Sequence, residues 1–266
     1  MTLPPIFFHC FKTPVPYTTA LSLQERIHAL QLVTRKASRS HRDYLLLLEH
    51  RPVYTFGRRQ HESAEEVHAE MTRLKGLGAD CVATQRGGQT TYHGPGQIVG
   101  YPLLDLGRTS PPMGIRDYIC RLQKTLELHL LEGHNIRHAP SEHTGVFLDA
   151  HTKVASIGVQ VRHRLTTHGF AMNVTKEPLA WFDRVVACGL TDVRAGCIAG
   201  ATKAETVSSP ITVADELPAL TSRFGQVFAR DMVELDVSGD GEVEEAIRAT
   251  EREAVAAGPW SQTPAP

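Results

Sequence analysis

Apolar residues recur every three to four positions at Leu23, Ile27, Leu30 and Val33, which predicts an amphipathic helix over residues 19–34. Tyr44 is followed by four leucines, a short unbroken apolar run that reads as a buried strand. Ser63-Ala-Glu-Glu66 has the spacing of a capping box and should open a helix closed near Gly76 to Gly78. Short strands are expected from Asp80 to Gln85 and from Ile98 to Leu104. Ile115, Ile119, Leu122, Leu126 and Leu130 then mark one stripe of a long helix ending at Gly133, which should pack on the sheet. From Gly145 to Val174 the period shortens: Val146-Phe-Leu, Lys153 to Val161 and Gly169 to Val174 read as neighbouring strands, with a turn at Asp149 to Thr152. Thr212 and Asp215 are spaced to cap a helix whose buried stripe is Leu217, Leu220, Phe224, Val227 and Phe228, with Pro218 inside it. From Ser238 onward Glu, Ala, Gly and Pro dominate, so residues 238–266 are expected to be a weakly packed tail, helical to Ala257 and disordered from Gly258.

Composition narrows this picture. A chain of 266 residues with 41% hydrophobic content can bury a substantial core in one or two domains. Its 28 basic and 29 acidic residues leave a net charge of −1, so no global field favours nucleic acid. The five cysteines, at 10, 81, 120, 188 and 197, form no C-x-x-C pair, which suggests neither a disulfide framework nor a structural zinc site. No apolar run is long enough to span a membrane, and the first twenty residues, with one lysine and no arginine, lack the marks of a secretory signal or an import presequence. A soluble protein of a reducing compartment is the expectation.

Three segments carry candidate chemistry. Arg86-Gly87-Gly88-Gln89-Thr90-Thr91-Tyr92-His93 continues through Gly94-Pro95-Gly96-Gln97 between two expected strands. Its glycines let the backbone turn sharply and approach a ligand, although a tight structural turn explains them equally well. It fits neither the Walker A nor the G-x-G-x-x-G spacing. In Lys153-Val-Ala-Ser-Ile-Gly-Val-Gln-Val, strict alternation puts Lys153 with Ala155, Ile157 and Val159 on one face, and Ser156 and Gly158 on the other. A lysine among apolar neighbours loses hydration and can serve as a base, while most lysines at strand starts are simply solvated. Cys188 follows an apolar run and precedes Gly189, which leaves its sulfur approachable by a carbonyl; a buried, inert cysteine is the plainer reading.

Taken together and in this order, R-G-G-Q-T-T-Y-H-G-P-G-Q-I-V-G-Y-P, K-V-A-S-I-G-V-Q-V, T-H-G-F-A-M-N-V and A-C-G-L resemble the octanoyltransferases of lipoate biosynthesis, with a flavour of the fungal mitochondrial members. The resemblance covers about residues 15–235 and leaves the tail outside, so a catalytic unit over 1–237 and a tail over 238–266 are expected. It implies a single α/β (α+β) domain of the biotin/lipoate protein ligase type, a mixed sheet flanked by helices. It implies Cys188 as acyl acceptor and Lys153 as its partner. It implies substrate contacts from Arg86 to His93, from Ser156, Ile157 and Gly158, and from Gly169, Phe170 and Ala171. The implied donor is octanoyl-acyl carrier protein. The implied acceptors are lipoyl domains of 2-oxo acid dehydrogenases and the glycine cleavage H protein, in the mitochondrion if the cell is eukaryotic and in the cytoplasm otherwise.

The donor would already be a thioester, so no metal, cofactor or ATP is expected. An ATP-dependent lipoate or biotin protein ligase on the same fold is one competitor, against which stand Gln89, the G-P-G-Q run and A-C-G-L. A non-catalytic lipoyl-domain binding module is another, against which stands the joint presence of Lys153 and Cys188.

Overall fold

The computed structural model describes residues 3–38, 40–59, 63–185, 189, 192–202 and 210–265. Its first half contains β1 (Ile6–Cys10), α1 (Tyr17–Ser38), β2 (Asp43–Leu48), β3 (Val53–Phe56), α2 (Ala64–Gly76), β4 (Asp80–Ala83), β5 (Thr91–His93), β6 (Gln97–Leu103) and α3 (Ile115–His134). The second half adds β7 (Val146–Asp149), β8 (Thr152–Arg162), β9 (Leu165–Asn173), α4 (Glu177–Phe182), β10 (Arg194–Ala195), α5 (Ile198–Ala201), α6 (Val213–Phe228), β11 (Met232–Glu234) and α7 (Glu242–Ala256).

Among the described residues the main sheet runs β10-β8-β9-β6-β2-β1-β11, with β7 paired to β8, and it mixes parallel and antiparallel neighbours. Strand β2 shows why its apolar run is unbroken. Leu45 and Leu47 point to one side, where Leu122, Leu126 and Leu130 of α3 and Leu220 and Phe224 of α6 cover them. Tyr44, Leu46 and Leu48 point to the other side, beneath Leu23 and Ile27 of α1 and Ile247 of α7. A strand covered on both faces has no solvent face to keep polar. The smaller sheet, β4-β3-β5, packs Tyr54, Phe56 and Tyr92 against Leu74 of α2 and Trp181 and Phe182 of α4.

Local signals in the sequence were obeyed where they were strongest. Ser63 and Glu66 form the reciprocal capping box at the start of α2, and the Thr212 hydroxyl accepts the Asp215 N–H at the start of α6. Helix α1 begins two residues earlier and ends later than its apolar stripe suggests, and Val33, expected on the buried face, is 65% exposed. Helix α3 runs one residue past Gly133 and closes on Asn135 in the left-handed conformation (φ 53°).

The tail differs from expectation. Val243, Ala246, Ile247 and Ala254 of α7 are buried against the α1 layer, and Arg42 reaches Glu244 at 3.0 Å. Beyond the helix, Arg51 donates to the carbonyls of Ala257 and Pro259 at 2.7 and 2.9 Å, and the Ala265 N–H donates to Leu77. The shift to Glu, Ala, Gly and Pro suggests weak packing. Val243, Ala246, Ile247 and Ala254, at i, i+3, i+4 and i+11, make an apolar stripe whose two alanines allow a close helix–helix approach.

Candidate active site

Two cavities adjoin on the α1 side of the main sheet. The first, about 50 Å³, is bounded by Tyr17 of α1, the Arg86–Gly88 turn, Thr91 and His93 of β5, Val99 and Tyr101 of β6, and the facing stretches Ser156–Gly158 and His168–Ala171. Those stretches are paired strand to strand, Ser156 with Ala171 and Gly158 with Gly169. The space exists because these pairs are small. The second cavity, about 20 Å³, is lined by Lys153, Gln97, Asn173 and Phe182 and by Val193 to Ala195, and it shares Ser156 and Ala171 with the first.

The titratable rings in and beneath the first cavity are uncharged. Burial holds His168 down to about 3, with Arg86 adding to the effect, and it holds the His50 beneath it down to about 4. His93 is pushed well below its ordinary value by burial and then by His50, and Tyr17 is pushed up to about 12. All four are therefore neutral near pH 7. They are tied into one cluster: His50 meets the Tyr101 hydroxyl at 2.6 Å and the Val15 carbonyl at 2.8 Å, and Tyr17 stacks on His93. His168 takes a left-handed φ of 58°, rare for a residue with a Cβ, and its ring meets Tyr101 edge-on.

Arg86 carries charge at the rim of this cavity, but its guanidinium serves the loop itself. It donates to the Thr55 carbonyl and hydroxyl at 2.7 and 2.8 Å, to Gln89 O at 2.7 Å and to Gly87 O at 3.0 Å. The turn is held further by Gly87 N–H on Val159 O and by the N–H groups of Arg58 and Arg59 on Arg86 and Gly88. Arg86 is thus 6% exposed and pins the small sheet to its own loop.

Around Lys153 the strand is irregular. Phe147 pairs with Lys153 and Val146 with Ala155, so β8 carries an extra residue against β7. Such a bulge breaks alternation. Lys153 consequently lines the same cavity as Ser156, not the opposite face to which strict alternation assigned it. Its Nζ lies 5.4 Å from the Phe147 ring centroid, and its backbone carbonyl accepts the Gly196 N–H at 2.8 Å. Gly145, at φ 129°, makes room for it: a Cβ there would stand 2.5 Å from both Lys153 Cε and Ala155 O. Polar contacts brace the far wall, since Gln97 donates to Asn173 Oδ1 at 2.8 Å and Asn173 donates to Gly196 O at 2.8 Å.

Cys188 lies outside the described residues, as do Val186, Ala187 and Leu190. Gly189 is described. It has φ 68°, and a Cβ on it would fall 1.6 Å from Gln89 Oε1, so its backbone presses against the side chain of the loop that walls the first cavity. The other thiols are poorly suited to attack: burial pushes Cys10 and Cys81 up to about 11 and raises Cys197, while Cys120 is exposed on α3, across the sheet.

Residues 16–224 match the lipoyl protein ligase A/B catalytic domain family. An octanoyltransferase of Koribacter versatilis is 33% identical over 229 residues, 85% of this chain and 86% of that protein. The chain belongs to the octanoyltransferases. It is therefore an acyltransferase. The mitochondrial octanoyl-[acyl-carrier-protein]:protein N-octanoyltransferase of Danio rerio is 39% identical over 66% of this chain and 74% of its own length. The fold is also that of the bipartite lipoate protein ligase of Thermoplasma acidophilum, with a TM-score of 0.61 over 94% of this chain and 91% of that one, at 17% identity.

The residues singled out in the sequence divide once placed in the octanoyltransferase. Arg86, Gly87, Gly88, Thr91 and His93 border the first cavity, as do Ser156, Gly158, Gly169 and Ala171. Tyr92 does not: its ring stacks on Trp181 in the small sheet's core. Gln89 and Thr90 also lie off the cavity, Gln89 serving Gly189 instead. Ile157 and Phe170 border it from their strands, but their side chains belong to the core under α3 and α6. Tyr17, Gln97 and Asn173 went unrecognised. Gln97 closes the Arg86-to-Gln97 segment and Asn173 lies inside the T-H-G-F-A-M-N-V segment, so both were open to notice, whereas nothing near Tyr17 marks it locally.

Proposed function

We propose that the enzyme carries an octanoyl group as a thioester on Cys188, taken from acyl carrier protein and delivered to a lysine of a lipoyl domain. One observation carries this reading most: Lys153 lines a cavity that adjoins, at Ser156 and Ala171, a groove of small residues and neutral histidines, and Gly189, next to Cys188, abuts the loop walling that groove. A groove walled by small residues and neutral rings, with Arg86 tied to its own loop, suits an alkyl chain. A lysine at its mouth suits proton transfer.

The chemistry needs both groups. A free thiol is only about a few per cent thiolate at pH 7, and an exposed lysine is less than about 0.1% neutral amine. Lys153 activates Cys188 as a thiolate–ammonium pair; the thiolate adds to the carrier thioester, the C–S bond to the carrier breaks, and the Lys153 ammonium protonates the departing thiolate. Neutral Lys153 then takes the proton of the incoming amine as it attacks the acyl-enzyme. An amide forms, the Cys188–acyl bond breaks, and the starting protonation returns. Arg86 fixes the wall of the groove, and the Gln97–Asn173 bridge fixes the wall facing Lys153.

The acceptors we assign are lipoyl domains of 2-oxo acid dehydrogenases and the glycine cleavage H protein. The compartment is the mitochondrion if the cell is eukaryotic, as the name of the Danio rerio relative has it, and the cytoplasm otherwise. Incubation with octanoyl-acyl carrier protein without ATP should give a hydroxylamine-labile octanoyl adduct by intact-mass spectrometry. Transfer that requires ATP and free octanoate, with no adduct, would overturn the reading in favour of a ligase.

A further inference from the structure

On the face of the sheet away from both cavities, the end of α3 meets the beginning of α6. His129 and His134, in the last turns of α3, both present Nε2 to a single oxygen, Oε2 of Glu216, at 2.7 and 2.8 Å. The three ligand atoms lie within 4.8 Å of one another. His129 is fully buried, and the Glu216 and His134 side chains are 10% and 11% exposed. One carboxylate oxygen shared by two imidazole nitrogens is a weak use of three strong donors. The same atoms, spread by a few tenths of an ångström, match the two-histidine, one-carboxylate set that zinc accepts.

We propose that His129, His134 and Glu216 bind one divalent cation of the zinc class, which clamps α3 to α6 and leaves its fourth position to water. The H-x₄-H spacing falls within the range found for zinc ligands on one helix. His134 is the last residue of α3, where the aligned carbonyls favour positive charge. Arg223 opposes the cation, with Nη1 3.4 Å from His129 Nδ1. For Nε2 to bind metal, Nδ1 must carry the proton, so Arg223 has to withdraw from it. A carboxylate is already in reach, since Arg223 Nε lies 3.2 Å from Glu132 Oε2. The cation would touch no group of the acyl site, so its role is to hold two helices of the core layer.

The test uses the full-length enzyme freed of metal by chelator and dialysis. Titration with Zn²⁺ should show one equivalent by calorimetry and raise Tm by about 5 °C at a hundredfold excess over Kd. Co²⁺ should give the visible bands of a four-coordinate site without a thiolate charge-transfer band, which separates this cluster from the cysteines. His134→Gln and Glu216→Gln, both able to keep a hydrogen bond and each checked for folding by circular dichroism without metal, should each lose that equivalent, while chelation leaves octanoyl transfer unchanged. No stoichiometric binding in the wild type, a thiolate band in the cobalt spectrum, or an equivalent retained in both folded variants would overturn the proposal and leave a hydrogen-bonded latch.

Discussion

The two adjoining cavities share two residues and almost nothing else. The first is walled by aromatic rings, glycines and histidines kept neutral by burial; the second holds a lysine, two amide side chains and Arg194. Both come from the same absence of side-chain volume on one face of β8 and β9. Each has a cation beside it, but Arg86 at the rim of the first is tied to its own loop, whereas the bulge at Lys153 turns a lysine toward the second. On the proposed mechanism, binding at Ser156 and chemistry at Lys153 are separated by only three positions along the strand. Variants on the two sides should fail in different ways.

On the proposed thioester route, the largest effect is expected at Cys188. Cys188→Ser should abolish the acyl adduct and lower transfer on the order of 10³-fold or more, since a neutral hydroxyl is a far poorer nucleophile than a thiolate. Substantial ATP-independent transfer by the variant would sink the covalent route. Lys153→Met should slow both half-reactions by roughly 10² to 10⁴ in kcat, leaving KM for the octanoyl donor nearly unchanged. A rise in KM alone would assign Lys153 to binding and erase the contrast between the cavities.

Next come variants that disturb the walls. Removal of residues 238–266 takes away α7 and the buried Val243, Ala246, Ile247 and Ala254, so unfolding free energy should fall by roughly 4 kcal/mol or more. Unchanged urea midpoints would return the tail to the weakly packed state its composition suggests. Arg86→Ala takes a donor from the buried Thr55 carbonyl and hydroxyl and from the half-buried Gln89 carbonyl and should cost about 3 kcal/mol. Arg86→Lys should recover only part of that, because one ammonium cannot reach all the acceptors of the planar fork. Full recovery with lysine would mean that charge, and not the fork, holds the loop.

The gentlest test is acid. His50 and His168 titrate in the folded protein at about 4 and about 3, below the ordinary value of 6.5, so the unfolded chain binds protons first as pH falls. Stability should be full above pH 6.5 and decline below it, by about 1.4 kcal/mol per pH unit for each histidine, until the folded values are reached. Glu216, held down to about 2 by its two histidine hydrogen bonds, should add a loss that starts near its ordinary value of 4.5 and grows as pH falls to about 2. Flat stability between pH 6.5 and 4.5, measured by urea unfolding, would show that the first cavity's histidines are hydrated and that the cavity is not the neutral one described.

Much was legible along the chain because its causes are local. The capping box of α2, the Leu122, Leu126 and Leu130 part of the α3 stripe and the two-faced run of β2 each depend on residues within a few positions of one another, although Ile115, expected in that stripe, is 53% exposed; the ordered motifs were enough to suggest the octanoyltransferase family. What depends on distant partners was not legible. Strands β1, β3 and β11 are short, and they are strands because they pair with β2, β4 and β5, and β1. The side to which Lys153 turns follows from a bulge that exists only relative to β7, and Arg86 looked like a ligand group until Thr55 met it across the small sheet. Sequence determined the periodicity of each element and the chemical types at the site. Tertiary structure decided which face each side chain serves, because register, bulges and long-range hydrogen bonds are properties of pairs of segments and are written in neither one alone.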